Sequence, residues 1–313
     1  MRTRTLAALV FLLLAALHSS GCQSPERPDL AELTAEISPL VEAFDGRAGV
    51  YIKDLVTGEE VGINADTLYP TASMIKVPIM VALFDRIDAG EFDYQQPLTY
   101  VDSLFYSDAD LTGELRDSAT VLLSEMIFLS ISKSDNTASL WLQELAGGGT
   151  TINAWLARQG FEQTRVNSRT PGRRGDWEVF GWGQTTPREM ARLMEWVHEG
   201  RAVSPAASHE MLRVLQRPWW DDEALSEVPP HVEVASKSGA VSASKSEVVL
   251  VHAPSGPYLF CVITADQADT RWTNNNAGYE LIRGVSRILW DHFEPSSAWS
   301  LPQGWERYAG SDE

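Results

Sequence analysis

Cysteine and positive charge are both scarce in this sequence. Two cysteines in 313 residues, Cys22 and Cys261, cannot build a disulfide framework, and no Cys-x-x-Cys pair or Cys/His cluster marks a structural zinc. Lys and Arg number 25 against 43 Asp and Glu, a net charge of −18. That balance speaks against a nucleic-acid partner, which wants a basic footprint. The six histidines have neither His-x-His nor HExxH spacing, so no metal is expected, and no motif calls for another cofactor. A Gly-x-Ser-x-Gly elbow for a Ser-His-Asp nucleophile is missing, and Gly181-Trp182-Gly183 does not continue into a GxGxxG nucleotide loop. No internal repeat or low-complexity segment occurs. What is present, 44% hydrophobic and 22% charged residues, is the composition of a globular core.

The apolar run from Leu6 to Leu17 is too short for a bilayer-spanning helix, which needs about 20 residues. Behind Arg2 and Arg4 it reads as a secretory signal over residues 1–21. His18-Ser19-Ser20-Gly21-Cys22 resembles a bacterial lipoprotein cleavage site, with Ser19 where an aliphatic residue is usual. The expectation is export across the inner membrane and a lipid anchor on Cys22, with residues 22–28 as a polar leash in the periplasm or cell envelope. Cys261, in the apolar run Tyr258 to Thr264, is then a buried strand cysteine.

Residues 29–293 read as one domain and 294–313 as an irregular tail. Asp29 with Glu32 opens a helix running to Phe44. Ala48 to Leu55 and Val61 to Ile63 read as strands joined by a turn, and strand signal returns only at Val232 to Ser236, Ser246 to Ala253 and Tyr258 to Ala265. Between them the pattern is helical: Ser73 to Ala89, Val121 to Ser130, Asp135 to Leu145, Thr151 to Gln159, Pro187 to His198 and Pro205 to Gln216. Asn276 to Phe293 closes the series. Short hairpin links force antiparallel neighbours. The expected fold is α/β of the α+β type: one antiparallel sheet assembled from N- and C-terminal strands, flanked by helices, with an inserted all-helical subdomain and a cleft between the parts. A monomer is expected.

Ser73-Met74-Ile75-Lys76 begins a helix, so Ser73 lies beside unsatisfied N–H groups and Lys76 returns to nearly the same face. That arrangement suits a serine nucleophile activated by a partly neutral lysine. The motif is weak alone, because Ser130 to Lys133 and Ser242 to Lys245 repeat it. Its companions strengthen it. Ser134-Asp135-Asn136 follows about sixty residues on, opening a helix, and Lys237-Ser238-Gly239 about a hundred beyond that, ending a strand.

With these motifs in order, the chain resembles the class A serine β-lactamases, within the wider set that includes penicillin-binding proteins. The resemblance extends from about Asp29 to Phe293 and takes in Tyr69-Pro70, Asp88-Ala89-Gly90, Gly147-Gly148 and Gln184-Thr185-Thr186-Pro187. It implies that Ser73 attacks an amide carbonyl, Lys76 shuttles its proton and Ser134 passes a proton to the leaving nitrogen. Asn136 would hold the acylamide side chain; Lys237 and Ser238 would bind the substrate carboxylate. Backbone N–H groups of Ser73 and Ala240 would form the oxyanion hole. Gly239 would let a substrate approach the strand edge. The implied partner is a β-lactam or a peptidoglycan-like acyl substrate carrying a carboxylate.

One feature departs from the family. The glutamate that activates the deacylating water lies on a loop that here begins at Thr164-Arg165. Counting forward from there, or back from Thr186-Pro187, puts Thr170 at its position, and Arg174 where a water-holding asparagine is expected. Threonine cannot act as a carboxylate base, which removes a contribution of roughly 10²–10⁴-fold to deacylation. Glu178 is the alternative base, at the cost of compensating gaps. The expectation is a serine hydrolase whose acyl-enzyme on Ser73 is released slowly. The alternatives are a cell-wall D,D-peptidase and a non-catalytic envelope binding protein; the intact Ser73, Lys76, Ser134 and Lys237 set argues against the last. Trp141, Trp155, Trp196 and Trp290 sit in helical patterns and are expected in the core; Trp177, Trp182, Trp219 and Trp220 lie in loop-like stretches, where packing is expected and lining a cleft is the alternative. Phe105 or Tyr106 falls near the family's aromatic gate.

Overall fold

The computed structural model describes residues 29–107 and 109–305, so the expected leader, Cys22 and the leash lie outside the described residues, as does the end of the tail. The helices are α1 (Leu30–Glu42), α2 (Lys76–Asp88), α3 (Leu123–Phe128), α4 (Asn136–Leu145), α5 (Gly148–Arg158), α6 (Arg174–Phe180), α7 (Pro187–His198), α8 (Pro205–Leu215) and α9 (Ala277–Phe293). The main strands are β1 (Arg47–Asp54), β2 (Glu60–Ile63), β8 (Val234–Val241), β9 (Ser244–Ala253) and β10 (Gly256–Ala265); five short ones, β3 (Tyr69–Pro70), β4 (Pro97–Thr99), β5 (Thr120–Leu122), β6 (Arg165–Val166) and β7 (Gly183–Thr185), lie in the middle.

The main sheet is five-stranded in the order β2-β1-β10-β9-β8, antiparallel throughout. Pairing of β1 with β10 joins the two ends of the chain, as expected from where the strand signal lay. Both faces of the sheet are covered. Leu259, Cys261 and Ile263 of β10 point to one core, and Tyr258, Phe260 and Val262 to the other. Helices α1 and α9 close the second core with Leu33, Ile37, Leu281, Val285 and Trp290. The first core receives α2, which is buried from Lys76 through Phe84. A helix apolar all round belongs in a protein centre, and α2 is the post around which the inserted helices assemble.

Two expectations change. Lys237-Ser238-Gly239 does not end a strand; it lies within β8, which starts at Val234 and continues to Val241. Pairing with β9 carries the strand onward, Lys237 opposite Val248 and Ala240 opposite Lys245. The loop after Val166 also contains a helix, α6, with no buried residue, whose short polar sequence gave no period.

Candidate active site

Ser73 sits in a single 3-10 turn, Ala72–Ile75, that feeds directly into α2. Ala72, just before it, has φ +43°, a left-handed conformation that a non-glycine residue adopts only when its surroundings enforce it. The enforcing contact is β8. A methyl group on Gly239 would lie 2.7 Å from the Thr71 carbonyl oxygen and 2.8 Å from the Ser73 nitrogen. The glycine is therefore required because the turn that carries Ser73 rests on the strand, a different reason from the substrate access expected of it.

Lys76 is wholly buried. Its Nζ donates to Asn136 Oδ1 at 2.9 Å, to Ser134 Oγ at 3.1 Å and to the Ser134 carbonyl. None of these bonds goes to Ser73 Oγ: the amine reaches the oxygens at the start of α4, which compete for it. Lys237 Nζ donates to the same Ser134 Oγ at 3.1 Å and to the Ser238 carbonyl at 2.8 Å. Ser134 thus bridges two buried amines. It holds φ +65°, again left-handed in a non-glycine residue.

Burial lowers the Lys76 pKa well below the usual lysine range and the Lys237 charge lowers it further, while Asp110 and Asp135 act in the opposite sense. Burial also lowers Lys237 to about 8, opposed by Glu223 and Glu247. The two aspartates do structural work on α4. Asp135 accepts the N–H groups of Ala138 and Thr112, each at 2.8 Å. Asp110 accepts those of Asn136 at 2.9 Å and Thr137 at 2.8 Å. This double cap satisfies donors at the helix end that carries Asn136. Sequence reading missed Asp110, because it lies outside any motif; the uncapped donors of a helix at Asn136 were the only available hint.

The cleft has two halves. One, of about 370 Å³, is lined by Ser134, Trp220, Glu223 and Ser238 among others. The other, of about 470 Å³, is lined by Tyr106, Phe180, Trp182 and Val241 among others. Ser73, Asn136 and Ala240 line both. Tyr106 and Trp182 meet edge to face at 5.2 Å, so of the two gate candidates Tyr106 lines the cleft. For Trp182 and Trp220 the alternative reading holds over packing: both are cleft walls. Trp141, Trp155 and Trp290 are buried as expected.

The loop brings no carboxylate to either half. Thr170 Oγ1 donates to the Ser168 carbonyl at 2.9 Å and its side chain covers Gly149, where an added methyl would sit 1.8 Å from Thr170 Oγ1. Arg174 and Glu178 pair with each other at 2.8 Å with side chains 77% and 57% exposed. Glu178 lies on the outer face of α6 and lines neither half. Arg173 instead ties the loop together, donating to Asn167 Oδ1 at 2.6 Å and Gln184 Oε1 at 2.8 Å.

A second acidic feature was not anticipated. Glu247 of β9, opposite Ser238, and Glu223 are both buried; burial raises the pKa of each, and the Glu247 charge raises that of Glu223 further. Glu247 stood in the sequence as a lone charge at the start of an apolar strand, a signal available but unused.

Known proteins align with this arrangement over most of the chain. β-Lactamase VEB-1 of Pseudomonas aeruginosa is 22% identical over 296 residues, 91% of this chain and 97% of its own. A β-lactamase of Streptomyces albus G is 28% identical over 276 residues, 83% of this chain and 85% of its own. The solved structure of PBP-A superposes with a TM-score of 0.76 at 27% identity, covering 87% of this chain and 99% of that one. The model of the beta-lactamase enzyme family matches residues 32–293. Fold, cleft and comparison agree: the chain belongs to the beta-lactamase enzyme family.

Proposed function

We propose that this protein is a serine hydrolase that forms an acyl-enzyme on Ser73 with β-lactams or related amides and esters, and releases the acyl group slowly. The observation that carries the reading is the buried Lys76–Ser134–Lys237 chain of hydrogen bonds, set in a cleft lined by Ser73. Neutral Lys76 takes the Ser73 proton as Oγ bonds to the acyl carbon. Backbone N–H groups of Ser73 and Ala240 receive the oxyanion. On collapse the carbon–nitrogen or carbon–oxygen bond breaks, and Ser134 gives its proton to the leaving atom and regains one from Lys76. Lys237 and Ser238 hold the substrate carboxylate, and Asn136 the acylamide arm.

Slow release follows from the loop, whose carboxylate Glu178 faces away from the cleft. The same observation favours a second reading, a D,D-peptidase or transferase of cell-wall peptides, for which no loop base is needed. A PBP-A mutant at 27% identity, solved as an acyl-enzyme complex with penicillin G, is in keeping with both. Export and lipidation at Cys22, supported by the basic leader and apolar run, would place the enzyme in the cell envelope. Absence of labelled fatty acid from the expressed protein would count against the anchor.

Intact mass, followed after mixing with penicillin G and a chromogenic cephalosporin, tests the reading. A long-lived adduct that Ser73→Ala abolishes is expected. Fast turnover with a transient adduct would overturn slow release, and no adduct would refute the β-lactam reading.

A further inference from the structure

We propose that the half of the cleft beyond Ser238 is a subsite for a cationic group, an ammonium or guanidinium carried by the leaving group alongside its carboxylate, with Glu223 as counter-charge. This rests on the acyl-transfer reading above, because Ser134 lines only this half and delivers its proton to the leaving atom. The leaving group must therefore lie here.

Glu223 is 8% exposed and lines this half of the cleft. Its Oε2 has no hydrogen-bond partner among the described residues. A buried carboxylate oxygen without a donor is costly unless something else satisfies it. Directly behind stands Glu247, which accepts the Ala224 N–H at 2.9 Å, so two carboxyl groups share one desolvated region and cannot both carry charge without a cation.

Lys237 and Lys245 act on Glu223 through space, opposing the rise in its pKa, but their hydrogen bonds go elsewhere, and Lys133 lies over the rings of Trp219 and Trp220. Lys237 donates to Ser134 and Ser238. Lys245 donates to the Val241 carbonyl at 3.0 Å and lies 3.9 Å from the centre of the Trp272 ring. Arg283, which also lines this half, reaches the carbonyl oxygens of Asp222 and Asn274. None forms an ion pair with Glu223 among the described residues. Asp222 adds negative charge to the same wall, and Trp220, Trp272 and Tyr279 line this half, a low-dielectric setting in which charge pairing is strong. Glu223 Oε2, buried and lining the cleft, suits a positive group of the substrate. A leaving group with both a carboxylate, for Lys237 and Ser238, and a basic arm, for Glu223, fits this half; a basic amino acid has that chemistry.

Two aryl esters of phenylacetylglycine test this. In each the phenol leaving group carries a meta carboxylate; at the other meta position one has an aminomethyl arm and its partner a hydroxymethyl arm. Attack by Ser73 forms the acyl-serine and releases the phenol, which is followed optically. The ratio of kcat/KM, aminomethyl over hydroxymethyl, should be about tenfold or more at neutral pH and low salt and fall toward one in Glu223→Gln. Competitive inhibition by the free phenols should show the same order without any variant. A wild-type ratio near one, or a ratio that Glu223→Gln leaves unchanged, overturns the subsite. Absence of Ser73-dependent phenol release from both esters would instead refute the acyl-enzyme reading, and the subsite with it.

Discussion

Replacing Lys237 by Met removes a buried positive charge while keeping side-chain length. In the acyl-transfer reading the ammonium makes a charge-assisted hydrogen bond to the substrate carboxylate, worth about 1.5–3 kcal/mol. At about 1.4 kcal/mol per factor of ten, kcat/KM for an anionic ester should fall by about tenfold to 150-fold through this contact. A neutral ester will also lose, because Lys237 Nζ is 3.1 Å from Ser134 Oγ. The informative quantity is therefore the ratio of the two losses. A pH axis gives an independent check. Burial holds Lys237 at about 8, and kcat/KM reports the free enzyme. The wild-type preference for the anionic ester should accordingly hold below pH 8 and decline above it, and in Lys237→Met it should be flat. The stability sign is opposite to that of a surface lysine. Folding disfavours the charged form, so below pH 8 the wild type carries a cost, on the order of 3 kcal/mol, that rises in pH toward 10.5 relieve. The Met variant should be no less stable than wild type at neutral pH by thermal unfolding. Equal losses for the two esters, or a preference that ignores pH, would refute the assignment of the carboxylate to Lys237.

Other expectations follow from the same geometry. Burial raises Glu247 to about 7, so stability present below its unfolded pKa of 4.5 is lost as pH rises toward 7, about 3 kcal/mol in all; Glu247→Gln keeps an acceptor for Ala224 and should flatten that decline in the pH dependence of Tm. A parallel decline in the variant would show that the carboxyl is not the source. Thr170→Glu should shorten the lifetime of the acyl adduct by roughly 10²–10⁴-fold if the loop register is right, read by intact mass; an unchanged lifetime would count against that register. Gly239→Ala should destabilise by about 1–3 kcal/mol and slow acylation, since its methyl would lie 2.8 Å from the Ser73 nitrogen; wild-type acylation kinetics would show that the turn can shift without harm.

The sheet was legible because its strands lie at the two ends of the chain and are covered on both faces, leaving long apolar runs such as Tyr258 to Thr264. The helices were legible from period and, at Asp29, from a cap, whose side chain accepts the Ala31 N–H. The four chemistry-bearing side chains were legible because their spacing is tied to elements with strong signals. What escaped depended on tertiary approach. The end of β8 was set too early, since the alternation of Val234 to Val241 breaks at the very residues that face the turn carrying Ser73. Asp110 reaches α4 from a segment without periodicity. The loop-like settings of Trp182 and Trp220 hint at a cleft wall, but only the folded chain decides between that and packing. The Glu223–Glu247 pair brings together residues whose sequence neighbours do not suggest contact.

The electrostatics of the site run against the protein's global charge. With 43 acidic residues against 25 basic ones, the average field attracts protons to an amine and should keep Lys76 charged. Asp110 and Asp135 stand near it and pull in that direction. Their charge is already shared among the backbone donors of α4 and Thr112, so they cannot make a direct pair with Lys76. Burial and the neighbouring Lys237 then decide the outcome, and the amine is driven toward its neutral form. A distant excess of surface carboxylates is screened within about 8–10 Å at ordinary ionic strength, whereas desolvation at a wholly buried nitrogen is not. In the acyl-transfer reading the same logic separates the two sides of Ser134: a neutral amine is wanted near Ser73, and a charged one where a substrate carboxylate would bind. Lys237, at about 8, keeps its proton at neutral pH, while burial and the Lys237 charge both pull Lys76 downward; in the acyl-transfer reading that asymmetry suits a serine hydroxyl, held between two lysines, that passes a proton from one side to the other.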